Sequence, residues 1–144
     1  MKSNRFTSLK QAQGMSKRIW ICKNADCRTW HHLKKPEVCR CEGKDLWYFP
    51  SKRQAERWVH LLMQESYGLI TNLCYEVPYR FEENGILIFT YKADATFTDV
   101  KTGEEIVEDV KASKNPKSLD PVFKMKKKLI EARFGIEIKI VTGR

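Results

Sequence analysis

Four of the five cysteines fall within twenty residues, as Cys22-x4-Cys27 and Cys39-x-Cys41, with His31, His32 and Pro36 in the eleven residues between the pairs. Thiolates packed this closely suit a tetrahedral zinc site, because zinc accepts four soft ligands and imposes no geometry of its own. The pair spacings, four and one, depart from the usual two, which leaves room for His31 or His32 to replace one Cys as fourth ligand. Four buried apolar thiols are the plainer alternative. A second set of reactive types lies further on, with Asp94, then Glu108, Asp109 and Lys111. Two carboxylates and a Lys projecting together suit a divalent metal and phosphodiester chemistry. Hard oxygens hold Mg²⁺ (or Mn²⁺), the ion lowers the pKa of an attacking water, and the ammonium offsets developing negative charge. The plainer alternative is a set of solvated strand charges with one cross-strand ion pair. Cys74 stands alone and reads as a small core residue.

The patterning around these residues supplies elements to position them. Ser51 can cap a helix whose capping box closes at Gln54, and Ala55, Trp58, Val59 and Leu62 recur at helical spacing. Arg53, Arg57, His60 and Gln64 fall on the other side, and Gly68 ends the helix. Residues 74–81 and 86–97 read as strands joined at Asn84-Gly85, a pair that favours a hairpin. Residues 99–103 turn the chain into a third strand, 105–111. That turn sets Asp94 opposite Glu108 or Asp109, and like charges across a strand pair repel unless something cationic lies between them. Asp109 and Lys111, two apart, share a face, and Glu108 takes the other. Asp120-Pro121 opens a second helix and Gly135 closes it, with Val122, Met125, Leu129 and Ala132 as its apolar stripe. Residues 136–141 form a last strand. The order α-β-β-β-α-β is an α+β arrangement, preceded by a small zinc ribbon at 19–46 and a basic arm at 1–18; the main domain is 47–144.

The chain has 144 residues and a net charge of +9, and five basic residues in 1–18 meet no acid. Its short apolar runs exclude a membrane span, and the arm lacks the apolar stretch of a signal peptide. A cytoplasmic protein with reduced thiols and a polyanionic partner, nucleic acid by default, is the expectation. Lys34 and Lys35 in the ribbon and Lys124, Lys127 and Lys128 in the second helix are the candidate phosphate contacts. Trp20, Trp30, Trp47 and Tyr48 can stack on unpaired bases, but small domains more often use such rings as core.

An Asp on the second strand followed by (D/E)-x-K on the third, within this element order, resembles the PD-(D/E)XK nuclease superfamily. The stretches 49–58, 91–97, 107–111 and 123–129 further resemble a phage family of small endonucleases similar to phage endonuclease I and other Holliday junction resolvases. The resemblance covers roughly residues 47–142. It implies a restriction-endonuclease-like core and a Mg²⁺-dependent DNA endonuclease, often a homodimer acting on branched DNA, in the host cytoplasm if phage-encoded. Asp94, Asp109 and Lys111 match its catalytic positions, the two Asp as Mg²⁺ ligands. The family commonly has Glu where this chain has Gln54, so Glu56 is the candidate substitute. Two other readings stand beside this one: a non-catalytic DNA-binding or regulatory module, and an endonuclease of duplex DNA or transposon ends.

Overall fold

Ile19, Ile21 and Phe49 are almost wholly buried, and together they define the inner face of a three-stranded antiparallel sheet. Its strands are β1 (Ile19–Cys22), β2 (Trp30–His32) and β3 (Leu46–Phe49), in the order β2-β1-β3. The computed structural model describes residues 18–142. Of the basic arm at 1–18, all but Arg18 lies outside the described residues. Two compact units divide the chain, meeting in sequence at Ala55 and Glu56. The first is therefore longer than the 19–46 ribbon expected from the cysteines. Leu46–Phe49 reads as the start of the main domain, yet it pairs with β1 from Ile19↔Phe49 to Cys22↔Leu46, and an antiparallel ladder outweighs proximity in sequence.

Helix α1 (Lys52–Ser66) starts as its sequence requires. Ser51 Oγ accepts the Gln54 N–H at 3.2 Å. The Ser51 hydroxyl also donates to the Gln54 side-chain oxygen at 2.9 Å, so Gln54 completes the cap through Oγ. Ala55, Trp58 and Leu61 are the buried positions of this helix, while Val59 and Leu62 are half-buried.

The second unit is built on a four-stranded sheet in the order β4-β5-β6-β7, from β4 (Ile70–Glu83), β5 (Ile86–Asp99), β6 (Glu105–Val110) and β7 (Ile138–Val141). The β4–β5 hairpin turns at Asn84 and Gly85, both at positive φ (51° and 77°), a pairing whose twist matches the flanking strands. β5 and β6 are antiparallel, and the Asp99 side chain closes their turn by accepting the N–H groups of Lys101 and Thr102. β6 and β7 run parallel, so a crossover must join them. That crossover is helix α2 (Pro121–Phe134), capped by Asp120, which accepts the Val122 N–H, and by left-handed Gly135.

The core of this unit contains Phe81, Tyr91, Ala93, Val107, Ile130 and Ile138, with Phe123 and Leu129 against it. The buried side of α2 is not the stripe its spacing suggests. Val122 and Met125 are half or more exposed and Ala132 is exposed, whereas Ile130 is fully buried. The apolar residues of α2 lie on both sides, and the ring of Phe123 with the branched Ile130 covers more of the sheet than Val122 and Ala132 can. Cys74, expected in the core, is exposed on edge strand β4. No helix among the described residues is long and apolar enough to cross a membrane.

Candidate functional site

The cysteine cluster is assembled by two tight loops at the ends of short strands. Cys22 closes β1 and bonds its N–H to the Thr29 carbonyl; Cys27 bonds back to Asn24; Cys39 bonds to Gly43. The four sulfurs of Cys22, Cys27, Cys39 and Cys41 consequently lie within 4.8 Å of one another. Cys22–Cys41 and Cys27–Cys39 are each 3.6 Å apart, far beyond the ~2.05 Å of a disulfide. Zn–S bonds of ~2.3 Å in a tetrahedron set sulfurs about 3.8 Å apart, so the four cysteines can hold a metal ion such as zinc. His31 takes a different place from the one its spacing suggested. Its Nε2 sits 3.3 Å from the Cys39 sulfur, as a neighbour of a ligand, and His32 is exposed. Burial pushes the Cys22 thiol up to about 12, while the Thr29 hydroxyl and backbone hold Cys27 down at about 6. Cys27 is thus readier than Cys22 to meet a cation as thiolate.

The carboxylate site forms where β5 and β6 part. The last register pair there is Ala95↔Glu108, and one further step sets Asp94 against Asp109. Asp94 Oδ2 then accepts the Val110 N–H at 2.7 Å, so the side chain continues the ladder that the backbone leaves. Asp109, 5% exposed, accepts the Tyr91 hydroxyl at 2.7 Å, and Lys111 Nζ stands 3.8 Å from the same oxygen. Burial, with the nearby Asp109 charge, raises the Tyr91 pKa. The hydroxyl therefore keeps its proton and donates throughout the neutral range. Lys111 also lies 4.0 Å over the Phe123 ring, and a cavity of about 310 Å³ opens beside it, lined by Ser113, Ser118 and Asp120 among others.

The neighbouring acid has another partner. Glu108, 2% exposed, takes a bidentate bond from Arg57 of α1, at 2.7 and 2.9 Å. Strand alternation thus separates the two adjacent carboxylates. Among the described residues the cysteines form the group of three or more ligand-spaced side chains, and Glu56 does not join Asp94 and Asp109 in another. Edge strand β4 keeps its register as it passes Asp94, from Tyr75↔Ala95 to Val77↔Ala93, with Glu76 between them at φ 49°.

The chain matches no protein-family model, no curated protein and no solved structure.

The expected phosphate contacts divide. Lys34, Lys35 and Lys128 are exposed. Lys124 donates to the Pro116 carbonyl, and Lys127 is paired with Glu131 at 3.0 Å, which reduces what it offers a phosphate. Sequence reasoning missed Tyr91 and Arg57 as members of the carboxylate region. A Tyr in a β-rich run reads as core, and Arg57 falls on the polar side of α1; only the spatial pairing shows where hydroxyl and guanidinium go. Gly43 was missed as well, although a Gly two residues after Cys41 is a readable sign of close backbone approach.

Proposed function

We propose that this protein is a metal-dependent DNA endonuclease on a restriction-endonuclease-like α-β-β-β-α-β core, selective for branched DNA of the Holliday junction type. The observation that carries the reading is the convergence of Asp94, Asp109 and Lys111 at the parting of β5 and β6. The mixed sheet, with its parallel β6–β7 pair joined through α2, supports it. The donor set fits Mg²⁺, which takes one or two carboxylates and fills its shell with water and phosphate oxygens. Asp94 and Asp109 would hold it, and bound there it would supply Lewis-acid polarisation of the phosphodiester and a more acidic water.

The remaining work falls to the chain's own groups. Tyr91 fixes the Asp109 carboxylate by its hydrogen bond. Lys111, steered by Asp109 and the Phe123 ring, offers a positive charge to the phosphate as its negative charge grows. Arg57 and Glu108 hold β6 to α1 and so place Asp109.

One departure favours a second reading, that of a DNA-binding module without cleavage. Gln54 occupies the position where the resemblance calls for Glu, and its side-chain oxygen is bonded to Ser51. The deciding measurement is Mg²⁺- or Mn²⁺-dependent cutting of a four-way junction against linear duplex of the same sequence. Asp94→Asn and Asp109→Asn are expected to lower the cutting rate on the order of 100-fold each, with junction binding retained. Wild-type turnover in either variant removes the proposed site, and tight binding with no cutting by the parent chain favours the second reading.

A further inference from the structure

Charge and aromatic surface coincide in the first unit. Residues 1–55 carry thirteen Lys and Arg against four Asp and Glu, which accounts for the entire net charge of +9; residues 56–144 carry fourteen of each and are neutral. The register of the first sheet sets Trp20 of β1 between His31 of β2 and Tyr48 of β3. Cross-strand partners project to the same side, so three rings form one row across the sheet. Ile19, Ile21 and Phe49, at the alternate positions, are 0%, 0% and 1% exposed. The row therefore occupies the opposite face, where Tyr48 is 41% exposed.

The row is built rather than incidental. The Trp20 and Tyr48 rings are 5.2 Å apart and tilted by 39°. His31 anchors the far end against Cys39, and Cys22, two residues beyond Trp20, belongs to the same cysteine cluster. Exposed Lys34, Lys35, Arg40 and Lys44 lie in the loops of this unit.

We propose that the Tyr48–Trp20–His31 row is a stacking platform for the unpaired bases of a DNA single strand, with the basic loops following its phosphates. A duplex hides its base faces, whereas every unpaired base offers one, and aromatic rings on a flat basic sheet accept it regardless of sequence. The proposal rests on the DNA half of the function above and is independent of cleavage.

The test is binding of the full-length, zinc-loaded protein to a short labelled oligothymidylate, followed by anisotropy without added Mg²⁺ or Mn²⁺ so that nothing is cut. Tyr48→Ala and Trp20→Ala are each expected to weaken binding about tenfold. Tyr48→Phe and Trp20→Phe, which keep a ring, are expected to bind as the parent does, and blunt duplex binding should not change in any of the four. Zinc content checks folding, and half-exposed Tyr48 carries the test if Trp20→Ala loses its metal. A zinc-loaded Tyr48→Ala protein that binds oligothymidylate like the parent overturns the platform. So does an equal loss on duplex, or competition by polyglutamate as effective as by oligothymidylate. Tyr48-dependent binding without junction cutting removes the endonuclease reading and leaves the platform; junction cutting with Tyr48→Ala binding unchanged does the reverse.

Discussion

At Gly43 a Cβ would stand 3.2 Å from the Cys41 sulfur and 3.7 Å from that of Cys22. A sulfur fixed to a metal cannot give way as a free thiol can, so Gly43→Ala should weaken zinc binding by on the order of tenfold, the low end for residues that orient ligands. Competition with a chromophoric chelator measures it, against a parent expected to carry one zinc per chain; affinity equal to the parent's would mean the ligands adjust freely. Removal of zinc should disorder the first unit before the second, since the cluster ties its loops together. The neighbours Glu108 and Asp109 offer a second contrast at this scale. Arg57→Ala leaves Glu108 buried without its guanidinium, which costs about 3–5 kcal/mol of stability in such pairs. Asp109→Asn keeps the Tyr91 hydroxyl satisfied and should cost far less. Chemical unfolding of both variants beside the cutting assay separates them, because Arg57→Ala should shift the unfolding midpoint and Asp109→Asn chiefly the rate. Loss of stability in the second and not the first would reverse these roles.

Helix α2 shows how an element can be read correctly in extent and wrongly in orientation. Asp120, Pro121 and Gly135 carry their boundaries in their own chemistry, a side-chain acceptor, a fixed φ and a left-handed cap, and none depends on tertiary contact. The same holds for the Asn84-Gly85 turn and the Asp99 turn. Which face of α2 meets the sheet depends on what the sheet presents, and apolar residues on two sides leave the periodicity undecided. Ile130→Ala should therefore cost about 2–5 kcal/mol, while Met125→Ser should stay within about 0.5 kcal/mol. Thermal unfolding distinguishes them, and a large loss at Met125 would return the helix to the orientation its stripe suggested. The carboxylate region divides along the same line. Hairpin register narrowed the partner of Asp94 to Glu108 or Asp109, and the Ala95↔Glu108 pair of the ladder decides for Asp109. The guanidinium of Arg57 arrives from another element, and the Tyr91 hydroxyl, three residues before Asp94 on β5, crosses to Asp109; no local pattern announces either contact. Strand β3 joined the first sheet for a like reason, since pairing partners are a property of the ladder and not of sequence neighbourhood.

Across the whole chain the charge is divided as sharply as the fold. A second unit with equal numbers of acids and bases attracts a polyanion only through local patches, and much of its basic charge is already answered, as in Lys127–Glu131, Arg57–Glu108 and Lys139–Glu104. General affinity for DNA should then reside in residues 1–55, and the carboxylate region should add little to it. Lys2, Arg5, Lys10 and Lys17 stand in a stretch without acid, and each phosphate they neutralise releases counterions worth roughly −0.9 in the slope of log K against log salt on duplex DNA. Deletion of residues 1–17 should flatten that slope by up to about 3.6 and weaken binding most at low salt. The junction preference proposed above should survive, because a charge that tracks phosphates does not read branch geometry. Titrations of parent and truncated protein over a salt series, on junction and duplex arms of equal length, measure both quantities. An unchanged slope would show that the arm makes no phosphate contact, and a lost junction preference would move shape recognition into it.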